Sequence, residues 1–188
     1  TQGVRRTVRF SKAVYRGAGG CLAGIVGTIL DVTDLRESEE RYRSLFENMV
    51  HGFAFHRLVL DANGNPDDYV FLEVNPSFEK QTGLRSAEIV GRSLREILPG
   101  VASENFRWIE TYGRVALGGE PLSFEQYSES LGRWFRVSVY SPRRNYFVTL
   151  SDDITGIKML EQDRELILDL SNDLFAVVGD DGAIRALN

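Results

Sequence analysis

Few side chains in this sequence could do chemistry, and their spacing argues against most of it. The single cysteine, Cys21, excludes an internal disulfide and a cysteine zinc cluster. His51 and His56 are the only histidines; neither has a partner at ligand spacing, and both read as surface or core polar residues. The acidic pairs Asp67-Asp68, Asp152-Asp153 and Asp180-Asp181 belong to no nucleophile-base-acid set and read as turn and cap residues. Asp61, Asn63 and Asn65 imitate the start of a calcium loop, but Pro66 stands where the loop needs glycine and Leu72 where it needs glutamate. A turn is the better reading. Gly17-Ala18-Gly19-Gly20 could suggest a phosphate loop, but no Gly-Lys-Ser/Thr follows and the next element is a strand. The expectation is of no catalytic residues and no metal site.

Composition narrows the partners. The 188 residues are 43% hydrophobic and 11% aromatic, enough for a globular core. A net charge of −5 argues against nucleic acid as a partner. Arg5, Arg6, Arg9, Lys12 and Arg16 alternate with apolar residues, as on a solvated strand face. The apolar run from Cys21 to Leu30 contains two glycines and is about half the roughly twenty residues a spanning helix needs, so no membrane segment is expected. One cysteine suits a reducing cytoplasm. With neither an initiating Met nor a signal peptide, the chain reads as a fragment of a longer protein.

The elements follow from a construction that occurs twice. Asp31-Val32-Thr33 and Asp153-Ile154-Thr155 each end a β-rich run and open a charged helical stretch. The offset from 31 to 153, 122 residues, also relates Leu35 to Ile157, Leu45 to Ile167 and Phe53 to Phe175. Two strands precede the first copy, around Val8 to Val14 and Leu22 to Val32. Asp34 then reads as a helix cap with Glu37 completing a capping box. Leu35, Ser38, Tyr42, Leu45 and Met49, and again Ile157, Leu160, Arg164, Ile167 and Ser171, form a short 3,4-spaced seam.

Between the copies, strands are expected at Phe53 to Leu60 and Tyr69 to Val74, joined by a turn at Asp61-Ala62-Asn63-Gly64. Asn75 caps a helix with Pro76 at its first position, and Gly83 ends it. Ser86 and Ser93 read as further caps, the latter boxed by Glu96. A long helix is expected from Ser103 to Leu117, then strands at Leu122 to Tyr127, Arg133 to Tyr140 and Tyr146 to Ser151. Two strands, several helices and three strands predict an α+β arrangement: a five-stranded antiparallel sheet with helices on one face.

These residues resemble the PAS sensory domain family. The resemblance is carried by Val74-Asn75-Pro76-Ser77-Phe78-Glu79, Thr82-Gly83-Leu84 with Glu88-Ile89-Val90-Gly91, Gly132-Arg133-Trp134-Phe135-Arg136-Val137-Ser138, and Asp153-Ile154-Thr155. It implies a tandem array: the terminal hairpin of an upstream PAS domain at 1–34, a linker helix at 35–50, a complete PAS domain at 51–155, a second linker helix at 156–172, and the start of a downstream domain at 173–188. It further implies a cytoplasmic, homodimeric signalling protein, joined through PAS domains and linker helices, with a C-terminal output domain. A sensor histidine kinase is the first output expected and a diguanylate cyclase the next.

The resemblance places a ligand in the cleft between the long helix and the sheet. If Phe147, Thr149 and Ser151 face inward, then Phe55, Leu72, Trp108, Tyr112, Phe124, Phe135 and Val137 are candidates to line it. They also read as ordinary core, and the unit as a dimerisation spacer that binds nothing. Haem would need a histidine on the long helix, which has none, and a flavin adduct would need a cysteine in the helical region. The cofactor expectation is therefore none, or a small apolar or aromatic compound. Asp31, Thr33, Asp153 and Thr155 are expected to join strand ends to exit helices and so relay signal, Asn75 to act as a structural cap.

Overall fold

In a computed structural model, which describes residues 6–16, 20, 22–170, 176–178 and 184–187, the chain divides into two units, 1–48 and 49–188. Expectations that fall on Gly17 to Gly19, Cys21, Ser171, Asp173, Phe175, Asp180-Asp181 and Asn188 lie outside the described residues.

The first unit is a hairpin and a helix. Strands β1 (Val8–Arg16) and β2 (Leu22–Asp31) pair antiparallel, Val8 opposite Asp31, and helix α1 (Thr33–Asn48) follows. Every β1 side chain is exposed. The helix begins one residue before the expected cap: Asp34 sits in its first turn, and the carboxylate that accepts from the Thr33 N–H belongs to Asp31. Asp34 is thus not the cap, because Asp31 already holds the turn.

In the second unit, β3 (Gly52–Leu60), β4 (Pro66–Val74), β5 (Leu122–Ser128), β6 (Arg133–Arg143) and β7 (Tyr146–Asp153) form one antiparallel sheet in the order β4-β3-β7-β6-β5. Asp61 builds the first turn, its Oδ1 accepting from the N–H groups of Asn63 and Asn65. The short helices α2 (Pro76–Thr82), α3 (Ser86–Ile89) and α4 (Leu94–Ile97) lead to a 3-10 turn at Pro99–Ser103 and then to α5 (Trp108–Ala116). Helix α6 (Thr155–Leu170) leaves the sheet, and β8 (Ala176–Val178) pairs with β9 (Ile184–Leu187). Phe78, Ile89, Leu94 and the α5 face of Trp108, Ile109, Tyr112 and Val115 pack with Ala54, Phe71, Val137 and Phe147 of the sheet into one core.

Local signals formed as their chemistry dictates. Asn75 caps α2 through its side chain, Gly83 ends it with φ 78°, and Ser93 with Glu96 forms a complete capping box. Two expectations fail. Arg85, not Ser86, precedes α3, with no side-chain cap bond. Helix α5 starts at Trp108 rather than Ser103, because the intervening Glu104 is extended (φ −67°, ψ 147°) and its carboxylate accepts from the Ser130 N–H across the fold. That tertiary bond outcompetes helix propensity.

Helix α5 approaches the first hairpin closely at Gly113. A Cβ there would lie 2.3 Å from Cγ and 2.4 Å from Cβ of Pro66, a ring fixed at the start of β4. Gly113→Ala adds about 1 kcal/mol of helix propensity, against roughly 1–3 kcal/mol for overpacking a rigid contact. The variant should therefore gain no stability and lose up to about 2 kcal/mol in urea unfolding, by the difference of those two effects. A variant more stable than the parent would show that α5 is free to shift.

Candidate functional site

The inner face of the sheet is set by pairing. Gly52, Ala54 and His56 lie opposite Ser151, Thr149 and Phe147, so each pair shares a face. On β4 the register slips between Phe55 and His56: Glu73 opposes Phe55 and Phe71 opposes His56, which leaves Leu72 as the extra residue of a bulge. Tyr69, Phe71 and Val74 consequently face the core. On β6 the buried positions are Phe135, Val137 and Val139.

Between this face and helices α2, α4 and α5 lies a cavity of about 80 Å³. Of the expected lining residues, Trp108, Tyr112, Phe135, Val137, Thr149 and Ser151 border it. Phe147 is fully buried behind it, its ring 4.5 Å from His56 and 5.2 Å from Tyr112. Phe124 is half-buried and packs on Phe106 and Trp108 instead. Phe55 and Leu72 are corrections. Phe55 occupies the opposite face, stacked on Tyr146, and Leu72 is turned away by the bulge. Both errors are one-residue errors of phase.

Sequence reasoning missed His56, Tyr69, Phe71, Phe78, Thr82 and Ser128, all of which border the cavity. For His56 no local signal exists: only the pairing of β3 with β7, which sets Ala54 and His56 opposite Thr149 and Phe147, turns it inward.

The wall carries little charge. His56 is 2% exposed, its ring stacked on Phe147 and edge-on to Tyr69 and Phe71, and its Nδ1 has no hydrogen-bond partner. Burial pushes its pKa down to about 3, the Phe147 backbone acting weakly the other way. Burial pushes the hydroxyls of Tyr69 and Tyr112 up. Beyond Trp108, Glu104 anchors the wall: it accepts from the indole Nε1 at 2.6 Å and from the Ser130 N–H at 2.8 Å. Burial alone would raise its pKa, but the bonds from Ser130 and Trp108 outweigh burial and hold it below the usual carboxylate range.

A chain of polar contacts leads from the cavity to α6. The Ser151 hydroxyl meets the Gly52 carbonyl at 3.3 Å and Gln81 Oε1 at 3.5 Å. Arg133 donates to the Gln81 carbonyl at 2.7 Å and to Asp153 Oδ2 at 2.9 Å. Asp153 Oδ1 accepts from the N–H and hydroxyl of Thr155, and the Thr155 Oγ1 accepts from the Trp134 N–H at 2.9 Å. For Asp153, burial opposes the charge, but Thr155 and Arg133 together hold its pKa down. Lys158 bonds Glu125 at 2.9 Å and seats the next turn on β5. In the first unit Asp31, Thr33, Arg6 and the Thr7 N–H repeat the same set of contacts.

His56 makes stability depend on pH. The unfolded imidazole takes up its proton near 6.5 and the folded one only near 3, so between these values the unfolded state holds more protons and stability falls as pH falls. The contribution grows from a fraction of a kcal/mol per pH unit near pH 7 to roughly 1.4 kcal/mol per pH unit near pH 5. Urea unfolding from about pH 7 to about pH 5, above the carboxylate range, should show this slope in the parent and lose most of it in His56→Phe. Equal slopes would mean that His56 is not held neutral.

Comparison with known proteins supports the fold. The family model described as the PAS fold matches residues 66–156. An RNA-binding light-oxygen-voltage receptor covers 88% of this chain over 44% of its own length, with 16% identity and a TM-score of 0.50, a likeness of fold. A domain of a sensory box sensor histidine kinase/response regulator from Geobacter sulfurreducens covers 65% of the chain and 99% of itself, with 23% identity and a TM-score of 0.43. A PAS domain from Colwellia psychrerythraea covers 63% and 98%, with 12% identity and a TM-score of 0.43. No curated protein matches the chain. Matched by its family model and built on the five-stranded antiparallel sheet with helices against it, the middle of this chain is a PAS domain.

Proposed function

We propose that this PAS domain senses a small uncharged ligand in its cavity and relays occupancy through α6 to an output domain of the same polypeptide. The observation that carries the reading is continuity: Ser151 borders the cavity, and Gln81, Arg133 and Asp153 connect it to the first turn of α6. A ligand that displaces Ser151 or α2 pulls on a contact shared with the helix start. The cavity has room for about five to eight water-sized groups, at roughly 10–15 Å³ for each water position. With His56 neutral and no cation among the lining residues, an anionic ligand would leave its charge unpaired.

The PAS domain is not itself catalytic, so any enzymatic output belongs to a separate domain. We assign that output as a sensor histidine kinase, with a diguanylate cyclase next, on the resemblance of the sequence alone. The same resemblance supports a cytoplasmic homodimer. Among the described residues no helix is long and apolar enough to cross a membrane. Helix α6 exposes Ile157, Met159, Leu160 and Leu166, and α1 exposes Leu35, Tyr42 and Leu45, apolar surface suited to pairing with a second copy. That surface also favours a second reading, a spacer that only holds protomers in register.

The relay predicts a helical period. Each residue inserted after Lys158 turns everything downstream by about 100°. Insertions of one or two residues in the full-length protein should uncouple stimulus from output. Four should restore it in part and seven nearly fully. If one residue is tolerated as well as seven, the rigid relay is wrong.

A further inference from the structure

The cavity wall holds an imidazole, that of His56, whose Nδ1 has no hydrogen-bond partner in the protein. His56 is stacked on Phe147 with ring centroids 4.5 Å apart and 15° between planes, and is held edge-on by Tyr69 at 5.0 Å and Phe71 at 4.8 Å. Gripped on three sides, the imidazole has little freedom to turn toward a partner elsewhere. Its Nδ1 has none, although the residue is 2% exposed and borders the cavity. Buried polar groups in folded proteins are nearly always paired, and one that is not calls for a partner from outside the chain. A neutral imidazole offers one donor and one acceptor, and a hydroxyl can answer either. Around it the wall is flat and aromatic: Tyr69, Phe71, Trp108, Tyr112 and Phe135. Rings pack on such walls by offset or edge contacts.

We propose that the cavity takes an uncharged monocyclic aromatic alcohol, a compound of the phenol class, whose ring packs among the aromatic side chains and whose hydroxyl pairs with His56. This rests on the ligand-sensing reading above and adds to it the chemical class and the anchoring residue. A single ring with one substituent matches the room for about five to eight water-sized groups in a cavity of this volume. An aromatic carboxylate fits less well, because no lysine or arginine lines the cavity to pair with its charge.

Phenol and toluene have the same shape and differ in the group that would meet His56, which makes them the probes. Affinities are measured by titration calorimetry on the whole chain near neutral pH, where phenol is uncharged. Phenol should bind roughly tenfold tighter than toluene, the expected scale of one hydrogen bond. His56→Phe, which keeps an aromatic ring against Phe147, should lose that preference while toluene binding stays. Because the variant could misfold, the parent protein gives an independent reading: phenol should shift the nitrogen resonances of the His56 ring in NMR, and toluene should not. Equal affinities, a preference that survives His56→Phe, or unmoved His56 resonances under saturating phenol would each overturn the phenol assignment and leave ligand sensing standing. If neither compound binds at millimolar concentration, the phenol assignment falls too, and only a cavity that takes up no small uncharged compound at all favours the spacer.

Discussion

One buried amide holds the sensory unit together. The Asn75 side chain is fully enclosed; its Oδ1 accepts from the N–H groups of Phe53 at 2.8 Å and Phe78 at 2.9 Å, and its Nδ2 donates to the His51 carbonyl at 3.0 Å. It therefore ties the start of β3, the end of β4 and the first turn of α2 at a single point. An amide suits this role because it offers acceptor and donor together, whereas a carboxylate has no donor for the His51 carbonyl. With Pro76 at the first helical position and Ser77 bonded to the Met49 carbonyl, α2 has one direction in which to run. That direction brings Gln81 to Ser151 and to Arg133, where the cavity and the exit helix meet.

The cavity and the junction use different physics. Around the cavity, burial suppresses charge on His56, Tyr69 and Tyr112, which leaves packing and single hydrogen bonds as the contacts its wall offers. At the junction, charge is kept: Asp153 is shared between Arg133 and Thr155, and hydrogen bonds outweigh the burial that opposes its ionisation. Charge-assisted bonds of this kind are short and directional, which fixes the orientation of the helix start.

The junction is also a local construction. Asp31, Thr33, Arg6 and Thr7 reproduce it in the first unit, where every β1 side chain is exposed. In both places the bonds join a helix start to the strands of the hairpin beside it, and the same residue types, Asp, Thr and Arg, make them.

What the sequence by itself determined was whatever is settled within a few residues. Asn75-Pro76 and Gly83 bounded α2, Ser93 with Glu96 boxed α4, and Asp-x-Thr opened both long helices, because each is local: a side chain bonding a backbone group two or three positions away, a proline ring that fits the first turn, or a glycine free to take φ 78°. A five-stranded antiparallel sheet followed from the count of strands and helices, though not the order of its strands, and six of the ten expected lining residues border the cavity. Tertiary structure decided the rest. The β3 face could not be told from Phe53 and Phe55 against Ala54, His56 and Leu58, since both sets include apolar residues and only pairing with β7 selects one. The bulge at Leu72 and the late start of α5 depend on partners far away in the chain, Phe55 and His56 for one and Ser130 for the other. His56 reads in sequence as an ordinary polar residue of a strand. Its neutral ring, with Nδ1 unpaired, exists only because Phe147, Tyr69 and Phe71 close around it and exclude water.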